Sequence, residues 1–352
     1  MNYLKSNKPK LIVDCTHLGR NTTGIERITE ELFDDKSLGT NSIQHITAKN
    51  TWLLIFKQWF YITLKSYFNP KTVILTPGFP PSILLSLLRG DKVIPYIHDM
   101  FLLSRTDEIN IRAKLYMRPS LSFAVKRLDC FLVNSNKTAV ELKKYCKVNA
   151  KVVLYRPFVK NVFNLEFNKY RYETLKLKEL KILMLGTVEP RKNYSGALKI
   201  FKSLQDKLGS KIELHIVGRL GWGDDAEELI STPGVICHGY LSSSEVKTLV
   251  ESSTFYMSTS HDEGLGLPLL ELQYSGIAIV ASNIPVFNEV LCESGLFINA
   301  DTPHEAAQSI IDYFSDANIK AAEKSYNNLK RWNDNALKDR GSVIKLLESK
   351  RA

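Results

Sequence analysis

Short apolar runs alternate with amphipathic stretches along the chain. Residues 10–15 (KLIVDC) read as a buried strand, and residues 25–33 as a helix that follows a turn at 21–24. Further strands are expected at 72–76, 93–97 and 130–134, each followed by turn residues or a helical pattern. The scheme then restarts. Strands are expected at 180–185, 212–217, 254–257 and 277–281, and helices at 194–208, 242–252, 268–274 and 303–314. Apolar strands alternating with helices imply parallel sheets covered on both faces. The periodicity breaks over residues 157–179, which are rich in Asn, Lys and Tyr. The expected organisation is therefore α/β, with two doubly wound Rossmann-like domains and an interdomain cleft: residues 1–165, a linker at 166–179, and residues 180–330. Residues 331–352, with Trp332, are expected to form a C-terminal helix that packs back towards the N-terminal domain.

Composition changes this picture little. The 352 residues are 44% hydrophobic and 24% charged, near the globular average. Residues 1–10 are polar and unlike a secretory leader, and no run of about 20 uncharged apolar residues exists. The five cysteines (Cys15, Cys130, Cys146, Cys237, Cys292) are scattered without metal spacing, so free thiols in a cytoplasmic compartment are expected. Charge is more informative. Residues 1–170 hold 26 Lys/Arg and 13 Asp/Glu, net +13, whereas residues 171–352 hold 21 and 24, net −3. The basic half should favour anions: nucleic acid, anionic lipid or a phosphorylated substrate.

Three loops carry candidate chemistry. After the strand at 254–257 come Gly264, Gly266 and Pro268, the pattern of a glycine turn opening a helix. Free N–H groups and the helix dipole there could take a diphosphate. Glu263 and Glu271 flank that loop. They would repel a phosphate but could accept hydrogen bonds from hydroxyl groups; alternatively, Glu271 complements the dipole and Glu263 is solvated surface. The second loop is 185–193, with Gly186 and the adjacent cations Arg191 and Lys192 at a helix start, where the dipole disfavours them. That mismatch points to an anion bound between them. The third is 217–223, with Gly218 and Arg219. No Asp-x-Asp stands in a metal-binding context, and Asp224 and Asp225 are expected to cap a helix, so no metal site is expected.

The Glu-x7-Glu spacing in DEGLGLPLLE (262–271) resembles that of retaining glycosyltransferases of the GT-B fold. With GTVEPRKN (186–193) and VGRLGWG (217–223), the chain is similar to glycosyltransferase family 4, and in particular to its mannosyl- and rhamnosyltransferase members of polysaccharide assembly. The likeness covers residues 10–345 and is strongest over 181–290. It implies that Glu271 binds the ribose hydroxyls, that Glu263 stands at the donor hexose, and that the backbone of Gly264, Leu265, Gly266 and Leu267 holds sugar hydroxyls and phosphate. Lys192 would bind the diphosphate, with Gly186, Gly218 and Arg219 around the donor. Many family members carry an arginine five residues before that lysine; Thr187 stands here, and Arg191 would take over its charge. In the first half, residues 23–27 (TGIER) resemble the loop facing the donor phosphates, through Gly24. His98, in the strand-end pair His98–Asp99, would hydrogen-bond the transferred sugar. Residues 282–290 (SNIPVFNEV) resemble a loop near the site, with no role assigned to Glu289.

The resemblance thus implies a metal-independent hexosyltransferase. A nucleotide sugar, GDP-mannose first, serves as substrate rather than cofactor, and the acceptor is a glycan or lipid-linked glycan, as in O-antigen assembly. Rhamnosyl or glucosyl transfer is the alternative within the fold. Residues 51–68 (TWLLIFKQWFYITLKSYF) read either as a buried helix or as an interfacial one, which with the basic half would place the protein peripherally on an anionic inner membrane surface. A dinucleotide-dependent dehydrogenase lacks its Gly-x-Gly-x-x-Gly after the first strand, and an epimerase lacks the Glu-x7-Glu loop. A basic nucleic-acid- or membrane-binding protein without catalysis would leave the three glycine loops unexplained, and no nucleic-acid partner is expected.

Overall fold

The computed structural model describes residues 10–19, 24–40, 42–105, 111, 113–209, 211–221, 225–316 and 320–351. The turn expected at 21–24, except Gly24, lies outside them, as do Trp222, Gly223 and Asp224. The chain divides into two compact units: Met1–Phe158 with Asp334–Ala352, and Val159–Asn333.

In the first unit, six parallel strands stand in the order β2-β1-β3-β4-β5-β6. They are β1 (Leu11–Asp14), β2 (Ile43–Ile46), β3 (Val73–Thr76), β4 (Val93–Ile97), β5 (Cys130–Val133) and β6 (Lys151–Leu154). The inner strands LIVD, VILT, VIPYI and CFLV are buried along their whole length. A parallel strand covered on both faces must be apolar throughout, and this is why these four were visible in the sequence. Residues from Asp334 onward belong to this unit, where Asp339 pairs with Arg156 at 2.7 Å.

In the second unit, the order is β12-β11-β10-β7-β8-β9, again parallel. The strands are β7 (Lys181–Leu185), β8 (Glu213–Val217), β9 (Val235–Gly239), β10 (Phe255–Ser258), β11 (Ala278–Ser282) and β12 (Gly295–Ile298). Alternate residues of β7 enter two separate cores. Ile182 and Met184 pack with Phe201, Phe255 and Phe314 on one face, and Leu183 packs with Phe287 and Trp332 on the other. The stretch expected as a linker is tied into this unit. Leu175 and Leu177 pack on its core, and the Tyr172 hydroxyl donates to the Thr254 carbonyl at 3.0 Å. The C-terminal helix starts ten residues earlier than expected and runs Ala321–Arg351. The helix expected at 268–274 is a five-residue α-helix, Leu267–Glu271, followed by a 3-10 turn, Leu272–Ser275.

Candidate active site

The strands of the second sheet run outward in both directions from β7, which starts the unit. β8 and β9 follow on one side, and β10, β11 and β12 on the other. The strand order therefore reverses between β7 and β10, and ligands of doubly wound sheets bind outside the carboxyl ends at such a point. The three glycine loops leave the adjacent ends of β10, β7 and β8.

After β7, Pro190–Lys192 makes a single 3-10 turn. Asn193 then takes the left-handed conformation, and its side chain caps the helix Tyr194–Leu208 by accepting from the Gly196 N–H at 3.0 Å. The β10 loop is stitched to this turn. The Thr259 hydroxyl donates to the Asn193 carbonyl at 2.8 Å, and the His261 N–H donates to the Arg191 carbonyl at 2.9 Å. These bonds bring Glu263 against both cations. Its Oε1 accepts from Lys192 Nζ at 2.9 Å and from the Ser260 hydroxyl at 3.1 Å, and its Oε2 lies 2.6 Å from Arg191 Nη1. Arg191 is anchored further by Glu189 Oε1 at 2.6 Å and by the Asp262 carbonyl at 2.8 Å. Burial works to raise the Glu263 carboxyl, but the charges of Lys192 and Arg191 outweigh it and hold the group below the ordinary carboxylate value.

This arrangement changes two expectations. The anion between Arg191 and Lys192 is the protein's own Glu263, which is mostly buried rather than solvated surface. The glycines also serve the protein before any ligand. Gly218 has φ of 144°, and a Cβ there would stand 2.2 Å from the Gly186 carbonyl oxygen. The two loops are zipped at that point: Val188 N–H donates to the Arg219 carbonyl at 2.9 Å. A Cβ on Gly186 would meet the Lys192 side chain at 3.1 Å, so Lys192 lies across that glycine. Gly266, at φ of 84°, starts the short helix against Leu269 and Phe287. Because that helix has five residues, its dipole is small, and Tyr194–Leu208 is the stronger one at this edge. Leu265 and Glu271 are buried, Leu267 is partly buried, and exposed Arg219 lies 5.5 Å over the Tyr240 ring. Beside the network opens a polar hollow of about 430 Å³, lined by Asn193, Thr259, Ser260, His261, Asn283 and Asn299 among others. Sequence reading missed Glu189, Ser260 and Thr259; the Glu-Pro-Arg-Lys run held the one available signal, an acid two residues before a cation.

In the first unit, His98 follows β4. Its Nε2 lies 2.6 Å from the Pro77 carbonyl oxygen, which can only accept, so Nε2 carries the proton. Burial pulls the ring's pKa down to about 4; the Pro77 hydrogen bond opposes this and His17 adds to it. The neutral ring therefore presents Nδ1 as an acceptor. Asn134 donates to the His98 carbonyl at 2.8 Å and fixes the backbone. His98 lines a cavity of about 220 Å³ with Ile25, Gly78, Phe79, Asp99 and Phe101 among others. Gly24 opens the helix Gly24–Leu32, next to Ile25, and none of the described residues would come within 4 Å of a Cβ added there.

Two parallel six-stranded sheets of this order, with flanking helices, make the two-domain α/β architecture of GT-B proteins. Residues 167–336 match the family described as Glycosyl transferases group 1. Among particular proteins, the chain is similar to the serotype-specific mannosyltransferase WbdA of Escherichia coli, 29% identical over 161 residues, 44% of this chain and 20% of WbdA. The match thus spans about a fifth of that relative's length. The O-antigen chain mannosyltransferase RfbU of Salmonella typhimurium is 25% identical over 293 residues, covering 80% of this chain and 78% of RfbU. In fold, the chain is similar to HepE of Anabaena, solved with UDP and glucose, at a TM-score of 0.69 and 12% identity, covering 97% of this chain and 100% of HepE.

Proposed function

We propose that the protein is a retaining, metal-independent glycosyltransferase of family 4. It moves a hexose, mannose first, from a nucleotide sugar to a glycan or lipid-linked glycan in polysaccharide assembly. The observation that carries this is the Lys192–Glu263–Arg191 cluster at the sheet's switch point. The costly step is departure of a nucleoside diphosphate from the anomeric carbon. The electron pair of the breaking C–O bond leaves with the phosphate, and fixed cations and N–H donors stabilise it. Lys192 is the cation that can turn to it, since among the described residues its ammonium is held by Glu263 alone and its stem lies along Gly186. Glu263, kept ionised, accepts from hexose hydroxyls through its remaining lone pairs, while Glu271 takes the ribose. The Nδ1 of His98 accepts from a hydroxyl of the transferred sugar. The acceptor oxygen then bonds to the oxocarbenium-like carbon on the face the leaving group vacates, and its proton passes to the diphosphate. The mannosyltransferase relatives support the sugar named; rhamnosyl or glucosyl transfer is the second reading. Work at the cytoplasmic face of an anionic membrane suits a lipid-linked acceptor and the +13 charge of residues 1–170.

A screen of nucleotide sugars, scored by free nucleoside diphosphate, tests this reading. GDP-mannose should give the highest turnover, a chelator should leave that turnover unchanged, and the product should keep the donor's anomeric configuration. Absence of turnover with every donor would remove the enzyme reading, and inversion would remove the mechanism.

A further inference from the structure

Residues 51–67 are helical: Thr51–Phe56 and Ile62–Tyr67, joined by a π-helical turn, Lys57–Tyr61. One face is sealed onto the first unit. Leu54, Gln58 and Ile62 are buried. Gln58 donates through Nε2 to Asp14 Oδ2 at 3.1 Å and to the Thr16 hydroxyl at 3.0 Å, while its Oε1 accepts from the Tyr116 hydroxyl at 2.9 Å. The other face is uncovered. Trp52, Phe56, Phe60, Leu64 and Phe68 are 84%, 54%, 49%, 56% and 71% exposed. They are four residues apart. In a pure α-helix, each such step drifts by about 40°, so five positions would fan across roughly 160°. A π turn holds one extra residue, which takes back most of that drift. The turn that Gln58 anchors inward therefore lines up the apolar row outward.

We infer that this row is a membrane-docking edge that lies in the headgroup region of an anionic bilayer, parallel to its surface. The inference deepens the membrane-surface part of the function proposed above and does not depend on the donor chemistry. A contiguous exposed aromatic row marks an interaction surface, and charge selects the occupant. Between Asp35 and Asp91 the sequence has no acidic residue, and it carries Lys36, Lys49, Lys57, Lys65 and Lys71, all exposed or partly exposed, while Arg89 is buried. A second copy would bring the same cations and be repelled. Anionic lipid supplies the opposite charge beside an apolar layer for the rings. The row is about 24 Å long. Among the described residues, no helix is long and apolar enough to cross a membrane, so the row is placed in plane.

Flotation of the full chain with vesicles of phosphatidylglycerol and phosphatidylethanolamine, against phosphatidylcholine alone, tests the inference. The protein should float with the anionic vesicles, less so as salt rises, and brominated acyl chains should quench emission that a Trp52→Phe variant lacks. The triple variant Phe56→Ser, Phe60→Ser, Leu64→Ser removes only exposed groups and should keep the wild-type thermal midpoint. Its bound fraction should fall roughly tenfold or more, with nucleoside diphosphate release to a water-soluble acceptor unchanged. Wild-type protein that stays off anionic vesicles, or a triple variant that floats equally well, overturns the inference. So does a wild-type dimer in sedimentation that the triple variant abolishes, since a second copy would then cover the row. Donor turnover is read separately, so loss of one result leaves the other standing.

Discussion

Glu263 is a carboxylate surrounded by donors, and its removal should separate two effects that act on one donor molecule. In Glu263→Ala, Lys192 and Arg191 lose their internal counter-charge. A nucleoside diphosphate should then bind as well as or better than in the wild type, while turnover falls by about 100-fold or more, because the hydroxyl acceptor is gone. Lys192→Ala should weaken nucleoside diphosphate binding and turnover together. Calorimetric titration beside turnover checks both, and weaker diphosphate binding in Glu263→Ala would count against the counter-charge role. His98 makes a second prediction. Its folded pKa of about 4 lies below the value of ~6.5 for an unfolded imidazole. Between those values the unfolded chain binds a proton that the folded chain refuses, so stability rises with pH. The contribution is full above ~6.5 and is lost as pH falls towards 4. The thermal midpoint of the wild type should drop more steeply over that window than that of His98→Gln; parallel curves would show that another group sets the slope.

At the scale of elements, the glycine loops divide into those the fold needs and one it does not. Gly218→Ala combines φ of 144° with a backbone oxygen 2.2 Å from the new Cβ, so a loss on the order of 2–3 kcal/mol is expected, read as a lower urea midpoint. Gly24→Ala meets no neighbour among the described residues and should stay within about 0.5 kcal/mol of wild type. If the donor phosphates approach that backbone, its turnover should nevertheless fall; full activity would detach Gly24 from the donor. The same contrast governs what the sequence discloses. Strands β1, β3, β4, β5, β7, β8, β10 and β11 are covered on both faces, and their apolar runs are legible. The strands that went unread, β2, β6, β9 and β12, are the four sheet edges. Their partial exposure admits residues such as Gln44, His45, Lys151 and His238, which blur the apolar run. The loop chemistry was legible as residue types, because glycines and charges at strand ends are conspicuous. Partners were not: which anion sits between Arg191 and Lys192 depends on the stitching of the β10 loop to the β7 loop, a contact over about 70 positions that no local pattern encodes.

At the scale of the whole molecule, each unit has its own sheet and its own buried cores. The continuous helix Ala321–Arg351 contributes residues to both units. Separate cores should give each unit its own unfolding transition in a calorimetric scan. The Lys192 and Glu271 groups that would hold the nucleotide both lie in Val159–Asn333. A nucleoside diphosphate at about 100 times its dissociation constant should add roughly 2.7 kcal/mol to the state that binds it. For a domain of this size, that raises the midpoint by several degrees. The shift should fall on one transition only, and Lys192→Ala should abolish it while leaving the unliganded midpoint of the other unit in place. An equal rise of both transitions would mean that binding energy is drawn from both units, and the nucleotide could then no longer be assigned to the β7–β10 switch point alone.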